Sequence, residues 1–210
     1  MKALFITGTD TNCGKTYVST VLLKRFNKMA LKTLALKPIA SGCFNGENGT
    51  LYNTDALELM KYSTVKKTYT EVNPFAFKDP IAPQIAAVFE NKDLTKELIL
   101  KYLQQALKNS SDLTIIEGAG GWLLPLNLTE YLYEVVLELK LPVILVVAIK
   151  LGCLNHALLT VNHMKHHNAE LVGWIANCLD PSQLVIQETI GYLKNAIEAP
   201  CLSVIGYERK

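Results

Sequence analysis

The stretch Gly8-Thr9-Asp10-Thr11-Asn12-Cys13-Gly14-Lys15-Thr16 ends on Gly-Lys-Thr. An apolar run, residues 3–6, precedes it, and a helix-like pattern, residues 17–29, follows. Strand, glycine loop, Gly-Lys-Thr and helix, in that order, make a phosphate-binding loop. Backbone N–H groups at a helix start point at anionic oxygens, and the helix dipole adds to their pull. In such a loop Lys15 reaches the terminal phosphates and the Thr16 hydroxyl ligates magnesium. The spacing departs from the general motif, because five residues separate Gly8 from Gly14 where four are usual.

The rest of the chain bounds what this loop serves. Hydrophobic residues make up 50% of the 210, which excludes a disordered chain and provides for a substantial core. The net charge is +2 and no block of five like charges occurs, which argues against a nucleic-acid or anionic-membrane surface. The longest apolar stretch, residues 141–149, is broken by Pro142 and is too short to span a bilayer. Residues 1–6 read like the start of a secretory leader, but Asp10 and Lys15 interrupt the run. Cys13, Cys43, Cys153, Cys178 and Cys201 lack metal-type spacing and are expected as free thiols in a reducing cytoplasm.

Apolar runs alternate with helical patterns. Strands are expected at residues 3–6, 33–36, 113–116, 143–149, 171–176 and 202–205. Helices are expected at residues 15–29, 55–61, 94–108, 130–139, 155–167 and 182–196. Continuous apolar strands are those buried on both faces. The expected fold is therefore α/β, a mostly parallel sheet with helices on both faces, P-loop NTPase-like, in one domain over residues 1–210. Ligands of such sheets sit at the carboxyl ends of the strands. Residues 37–53, 73–83 and 118–122 read as working loops.

Several candidates fall just after strands. Lys37 ends the second strand, facing the side where the phosphate loop opens, although solvated lysines are common there. Asp55 is either a metal-facing acid or an ordinary first-turn acid. Glu117 follows the strand-like Thr114-Ile115-Ile116, where P-loop proteins place a metal-binding carboxylate, or else it faces water. With Thr16 these two acids give magnesium three oxygen groups, completed by water and phosphate. Gly118, Gly120 and Gly121 let backbone approach a ligand closely. Lys150-Leu151-Gly152-Cys153-Leu154-Asn155 reads equally as a second anion site at a helix start or as a plain strand-to-helix loop. The Asn177 amide either reads a base edge or closes a turn. His163, His166 and His167 read as a solvated helix end, because no third ligand joins the i, i+4 pair.

Taken together these segments resemble the dethiobiotin synthetases. The resemblance rests on residues 8–16, Lys37-Pro38-Ile39-Ala40-Ser41-Gly42, Asn53-Thr54-Asp55-Ala56, Asn73-Pro74-Phe75 and Glu117-Gly118-Ala119-Gly120-Gly121-Trp122. It continues through Leu141-Pro142-Val143-Ile144-Leu145-Val146, residues 150–157 and Gly173-Trp174-Ile175-Ala176-Asn177. The five-residue gap between glycines is this family's own form.

The resemblance implies an ATP- and magnesium-dependent ring closure of diaminopelargonic acid with carbon dioxide. It implies that Lys37, Thr11, Lys15 and Lys150 carry the chemistry, with Lys37 and Thr11 on a carbamate. It implies that Ser41 meets the substrate amines, and that Gly152, Cys153 and Asn155 take the distant carboxylate across a homodimer interface. The nucleotide falls to Asn12, Cys13, Gly14, Lys15, Thr16, Tyr17, Asp55, Glu117, Gly118, Ala119, Gly120, Asn177 and Cys178. Magnesium falls to Thr16, Asp55 and Glu117. Family members usually continue after residue 205 with a proline-containing turn that packs on adenine, whereas this sequence runs Gly206-Tyr207-Glu208-Arg209-Lys210. A weaker adenine preference is therefore expected.

Two rivals share the phosphate loop. Amidotransferase-type synthetases of corrinoid side chains usually carry a glutaminase domain, for which 210 residues leave no room. Partitioning and positioning ATPases resemble one another in an additional early lysine in the loop, and residues 8–13 hold none.

Overall fold

A computed structural model describes residues 2–47, 49–108 and 110–207. Glu208, Arg209 and Lys210, expected after the last strand, lie outside the described residues. The chain begins β1 (Lys2–Gly8), α1 (Lys15–Lys28), β2 (Thr33–Leu36) and the short β3 (Ile39–Ala40), β4 (Phe44–Asn45) and β5 (Leu51–Tyr52). It continues through α2 (Thr54–Tyr62), α3 (Tyr69–Val72), β6 (Phe75–Ala76), α4 (Pro83–Phe89) and α5 (Lys96–Ala106). The remainder is β7 (Leu113–Glu117), α6 (Leu132–Glu138), β8 (Val143–Ala148), α7 (Cys153–His166), β9 (Leu171–Asn177), α8 (Ile186–Ala196) and β10 (Cys201–Ile205).

Six strands form one sheet in the order β10-β9-β8-β1-β7-β2, every neighbouring pair parallel. The phosphate-loop strand β1 is interior, between β7 and β8. Alternate residues of these strands enter two apolar layers, as the period of two requires. Phe5, Leu36, Ile116, Leu145 and Val147 pack with α5, α6, α7 and α8, while Ile6, Ala35, Ile115, Val146 and Ala148 pack with α1 and α2. Both faces of the interior strands are covered, so their apolar runs are largely buried, while Leu202 and Val204 of the edge strand β10 stay exposed. β2, β7 and β8 are buried throughout.

The differences from the sequence reading lie at helix ends and in loops. The helix expected from residue 94 starts at Lys96, because the Thr95 hydroxyl accepts from Leu98 N–H and caps it. The helix expected from residue 130 starts at Leu132, because the Glu130 carboxylate is held by Asn127 and Lys96 N–H instead. The last helix starts at Ile186, not 182, because Asp180 closes a turn on Ser182. The one expected from 155 starts earlier, at Cys153, after Gly152 with φ 88°. Residues 37–53 contain β3 and the β4–β5 ladder, and residues 73–83 contain β6, which pairs with β3. The short α3 and α4 carry too few turns to print a 3.6-residue period.

The edge strand β10 packs where β9 carries no side chain. A Cβ at Gly173 would lie 2.5 Å from Leu202 Cγ. Gly173→Ala is expected to cost about 1–3 kcal/mol through overpacking. That lowers Tm by about 2–4 °C per kcal/mol, which a thermal melt checks. An unchanged Tm would mean that β10 shifts freely.

Candidate active site

The carboxyl ends of β1, β2 and β7 converge on a cavity of about 680 Å³. Thr11, Asn12, Gly14, Lys15, Thr16, Lys37, Ser41, Asp55, Ala119 and Gly120 line it, all residues singled out from sequence. A larger groove of about 1300 Å³ lies at the opposite, amino ends of the strands, around Leu4, Leu113, Pro142 and Val172. Its walls are mostly apolar and hold none of the phosphate-loop groups.

Gly14 precedes α1 with φ 90°, a left-handed conformation natural to glycine. The first turn of α1 bears no acidic side chain, so its N–H groups face the cavity without a competing anion. Asn177, at the end of β9, is buried and donates from Nδ2 to the Cys13 carbonyl at 2.9 Å. A side chain on residue 14 would collide with that amide. Lys15 folds back over the loop, donating to the carbonyls of Asp10 at 2.9 Å and Gly120 at 2.6 Å. Burial pushes its pKa below the ordinary lysine value, reinforced by Lys37 and opposed by Cys13, Glu117 and Asp10.

Glu117 does not face water. It ends β7 fully buried, and its Oε1 accepts from Lys37 Nζ at 2.6 Å and Thr16 Oγ1 at 2.8 Å. Lys37 Nζ also donates to the Gly118 carbonyl at 3.1 Å and lies 3.6 Å from Asp55 Oδ2. Burial works most strongly against charge on Lys37, but Glu117 and Asp55 outweigh it and hold its pKa above the ordinary value. Among the described residues Glu117 Oε2 is buried with no hydrogen-bond partner. An unpaired buried carboxylate oxygen is costly, and a cation beside it removes the cost. Thr16 Oγ1, Glu117 and Asp55 offer the oxygen donors magnesium takes, one or two carboxylates with phosphate and water. No group of three or more His, Cys, Asp or Glu suited to a metal occurs among the described residues. A cation here would therefore draw ligands from phosphate as well.

The remaining candidates lie around this cavity rather than in its walls. Cys13 and Gly118 are buried, Tyr17 faces outward from α1, and Cys178 donates its N–H to the Ile205 carbonyl. Gly152 and Asn155 are exposed at the start of α7, where Cys153 is buried. Lys150 reaches back to Asp10 Oδ2 at 2.6 Å.

Asp10 was missed from the sequence. It ties residue 150 to the phosphate loop, and its Oδ1 is buried without a partner among the described residues. The Tyr69 network was missed too. Tyr69 OH accepts from Asn53 N–H and donates to Asn73 Oδ1, and Asn73 Nδ2 donates to the Lys37 carbonyl at 2.6 Å. Asn53 Oδ1 accepts from Ala56 N–H and caps α2. One hydroxyl thus fixes the backbone of Lys37 and the helix start that presents Asp55. No local signal announces either arrangement, because the partners are distant in sequence.

Comparison with known proteins then separates the rivals. The family model described as an AAA domain matches residues 2–210. The ATP-dependent dethiobiotin synthetase BioD of Cellvibrio japonicus (strain Ueda107) is 48% identical over 204 residues, 97% of this chain and 89% of that protein. The BioD of Pseudoalteromonas translucida (strain TAC 125) is 43% identical over 210 residues, 100% of this chain and 92% of its own length. The chain belongs to the dethiobiotin synthetase family. That family is one of ATP-dependent ligases. Among solved structures, the septum site-determining protein MinD of Pyrococcus horikoshii, complexed with Mg-ADP, aligns at TM-score 0.62 and 17% identity. That alignment covers 99% of this chain and 82% of MinD. A ParA family ATPase of Chlorobium tepidum aligns at TM-score 0.59 and 15% identity, covering 99% and 84%. At those identities the likeness is one of fold, the P-loop ATPase sheet shared with the positioning and partitioning proteins.

Glu117→Gln leaves Lys37 charged and buried beside a neutral amide, with only the half-exposed Asp55 carboxylate, 3.6 Å away, opposite it. It is expected to destabilise the protein by about 3–5 kcal/mol, read from urea midpoints at constant slope. Adding Lys37→Met should recover most of that loss, since apolar replacement of a whole buried pair is often neutral. A Glu117→Gln cost below about 1 kcal/mol would show that the pair is not desolvated as its burial implies.

Proposed function

We propose that this chain forms dethiobiotin from diaminopelargonic acid, carbon dioxide and ATP, releasing ADP and phosphate. One observation carries the reading: two buried lysines, Lys15 and Lys37, meet Thr16 and Glu117 at one cleft in a chain of this family. One substrate amine takes up carbon dioxide as a carbamate. The carbamate oxygen attacks the terminal phosphate of ATP and gives a mixed carbamic–phosphoric anhydride. The second amine attacks that carbon, closes the ureido ring and expels phosphate.

This sequence needs charge neutralisation and orientation rather than a covalent nucleophile. Lys37 is held protonated by Glu117 and Asp55, which suits an electrostatic partner of the carbamate and the transferring phosphoryl group rather than a base. Thr11, on the same cavity wall, completes the carbamate contact, and Ser41 faces the amines. Lys15 exchanges its backbone carbonyls for phosphate oxygens when nucleotide enters. Thr16, Asp55 and Glu117 hold magnesium, which neutralises phosphate charge when bound. Residues 12–17 and 118–120 cradle the nucleotide, with Asn177 and Cys178 on the base side. Residues 152–155 take the substrate carboxylate in a homodimer, and Lys150 stands beside them. We place this activity in a single domain of a cytoplasmic enzyme. No described helix is long and apolar enough to cross a membrane.

The deciding experiment is ATP turnover by the purified protein with and without diaminopelargonic acid and bicarbonate. Turnover should require both and magnesium, and excess chelator should abolish it. Turnover indifferent to both substrates would point to a nucleotide-gated switch instead. Lys37→Ala should lower turnover by about a hundredfold or more, because a preorganised charge at the reacting centre is lost. Circular dichroism should still report a folded chain, and near-normal turnover in that variant would remove Lys37 from the chemistry.

A further inference from the structure

His163 stands outside the cavity, on α7, yet it is not part of a solvated helix end. The Trp122 indole N–H donates to His163 Nδ1 at 3.1 Å. Around that bond lies a cluster of rings. Tyr133 of α6 meets His163 edge-on at 4.9 Å and Trp122 at 5.7 Å between centroids, and His167 stacks on His163 at 4.3 Å. Trp122 is 3% exposed and closes the segment Gly118-Ala119-Gly120-Gly121-Trp122. That segment supplies the Gly118 carbonyl to Lys37 and the Gly120 carbonyl to Lys15. A Cβ at Gly121 would lie 3.3 Å from the Thr9 carbonyl oxygen, so the segment rests directly on the phosphate loop.

An indole N–H is a donor only, so it needs an acceptor when buried. His163 Nδ1 accepts only while that nitrogen is unprotonated. We propose that neutral His163 is a positioning residue for the reaction described above, locking Trp122 and with it the segment whose Gly118 carbonyl aims Lys37 and whose Gly120 carbonyl holds Lys15 until nucleotide enters, and that protonation at Nδ1 releases the lock. The inference rests on the proposed activity only for its catalytic consequence.

The groups facing His163 favour its neutral form. From α7 it is His167, against which His166 packs in turn, from α6 the Tyr133 ring, and from the loop the Trp122 indole. Tyr133 is itself raised above the ordinary tyrosine value by burial, then by Glu134 and Tyr131, so it stays an uncharged neighbour. Burial, then His167 and His166, hold the His163 pKa below its ordinary 6.5. A histidine depressed in the folded state loses stability as pH falls from 6.5 through its folded value, because the unfolded chain takes the proton first. The lock is therefore closed at neutral pH and opens in acid.

The test uses the full chain with ¹⁵N-labelled indoles. Two tryptophans give two indole N–H signals, and Trp174→Phe assigns them. Trp174 Nε1 is buried with no partner among the described residues, so its signal should stay still. The Trp122 signal should move in the wild type as pH is lowered from 8 into acid over the whole range in which the chain stays folded. It should stay fixed in His163→Asn, whose amide oxygen is an acceptor that does not titrate. A Trp122 signal that does not move in the wild type overturns the lock, whatever the variants do.

Turnover gives the second readout. Relative to His163→Asn, the wild type should lose roughly fivefold more kcat on going to acid, the weight of one neutral hydrogen bond. His163→Leu, with no acceptor, should be slow by a similar factor at every pH, and His166→Asn, which removes the least of the causes lowering His163, should keep the acid limb with at most a small shift to higher pH. An acid limb identical in wild type and His163→Asn also overturns the proposal. A titrating Trp122 signal in a protein without diaminopelargonate-dependent turnover would uphold the lock and refute the reaction instead.

Discussion

Much of this site depends on one buried pair, Lys37 with Glu117. The two residues stand at the carboxyl ends of β2 and β7, neighbouring strands of the sheet, and neither is tolerable in that position alone. Glu117 is wholly buried and Lys37 nearly so. A lone buried charge of either sign is strongly destabilising, so each makes the other possible. The pair also leaves something over. Lys37 and Thr16 both use Oε1, and Oε2 is buried without a hydrogen-bond partner among the described residues. A pair built for stability alone would satisfy both oxygens. This one keeps a carboxylate oxygen and a protonated lysine side by side, a poor arrangement for a core and a useful one for binding a cation and an anion together.

The loops around the pair are held from outside, and each restraint comes from a different element. Asn177 of β9 grips the Cys13 carbonyl under the phosphate loop, Lys150 pairs with Asp10 on its outer side, and Tyr69 ties Lys37 to the start of α2. Trp122 and His163 tie the loop after β7 to α7. Preorganisation matters because dipoles fixed before the reaction need no reorientation during it. These restraints are single polar contacts between elements far apart in sequence, set on a rigid parallel sheet.

The fold and the chemistry part company in the comparisons. The sheet is common to positioning and partitioning ATPases at identities too low to carry function. The side chains that line this cleft sit largely in loops, and the fold does not dictate those loops. The second lysine illustrates this. It comes from the end of β2, across β7 from the phosphate-loop strand, rather than from the phosphate loop itself.

The sequence alone determined the parallel sheet, because strands buried on both faces write long apolar runs and the crossover helices write their own period. It also pointed to Lys15, Thr16 and Lys37 around one cleft, because they follow strands and such sheets bind ligands at strand ends, while Asp55, at a helix start, stayed open between a metal-facing acid and a first-turn acid. Only the tertiary structure decided where Glu117, Asn177, Asp10 and His163 stand and which groups they bond. Glu117 reads from the sequence as either a cleft acid or a solvated one, and its burial against Lys37, eighty residues away, excludes the solvated one. Asp10 lies 140 residues from Lys150, and Trp122 lies 41 from His163. Helix and strand periods express only which face is apolar. Polar contacts between distant elements leave no period, because they arise when the finished sheet brings the ends of its strands together.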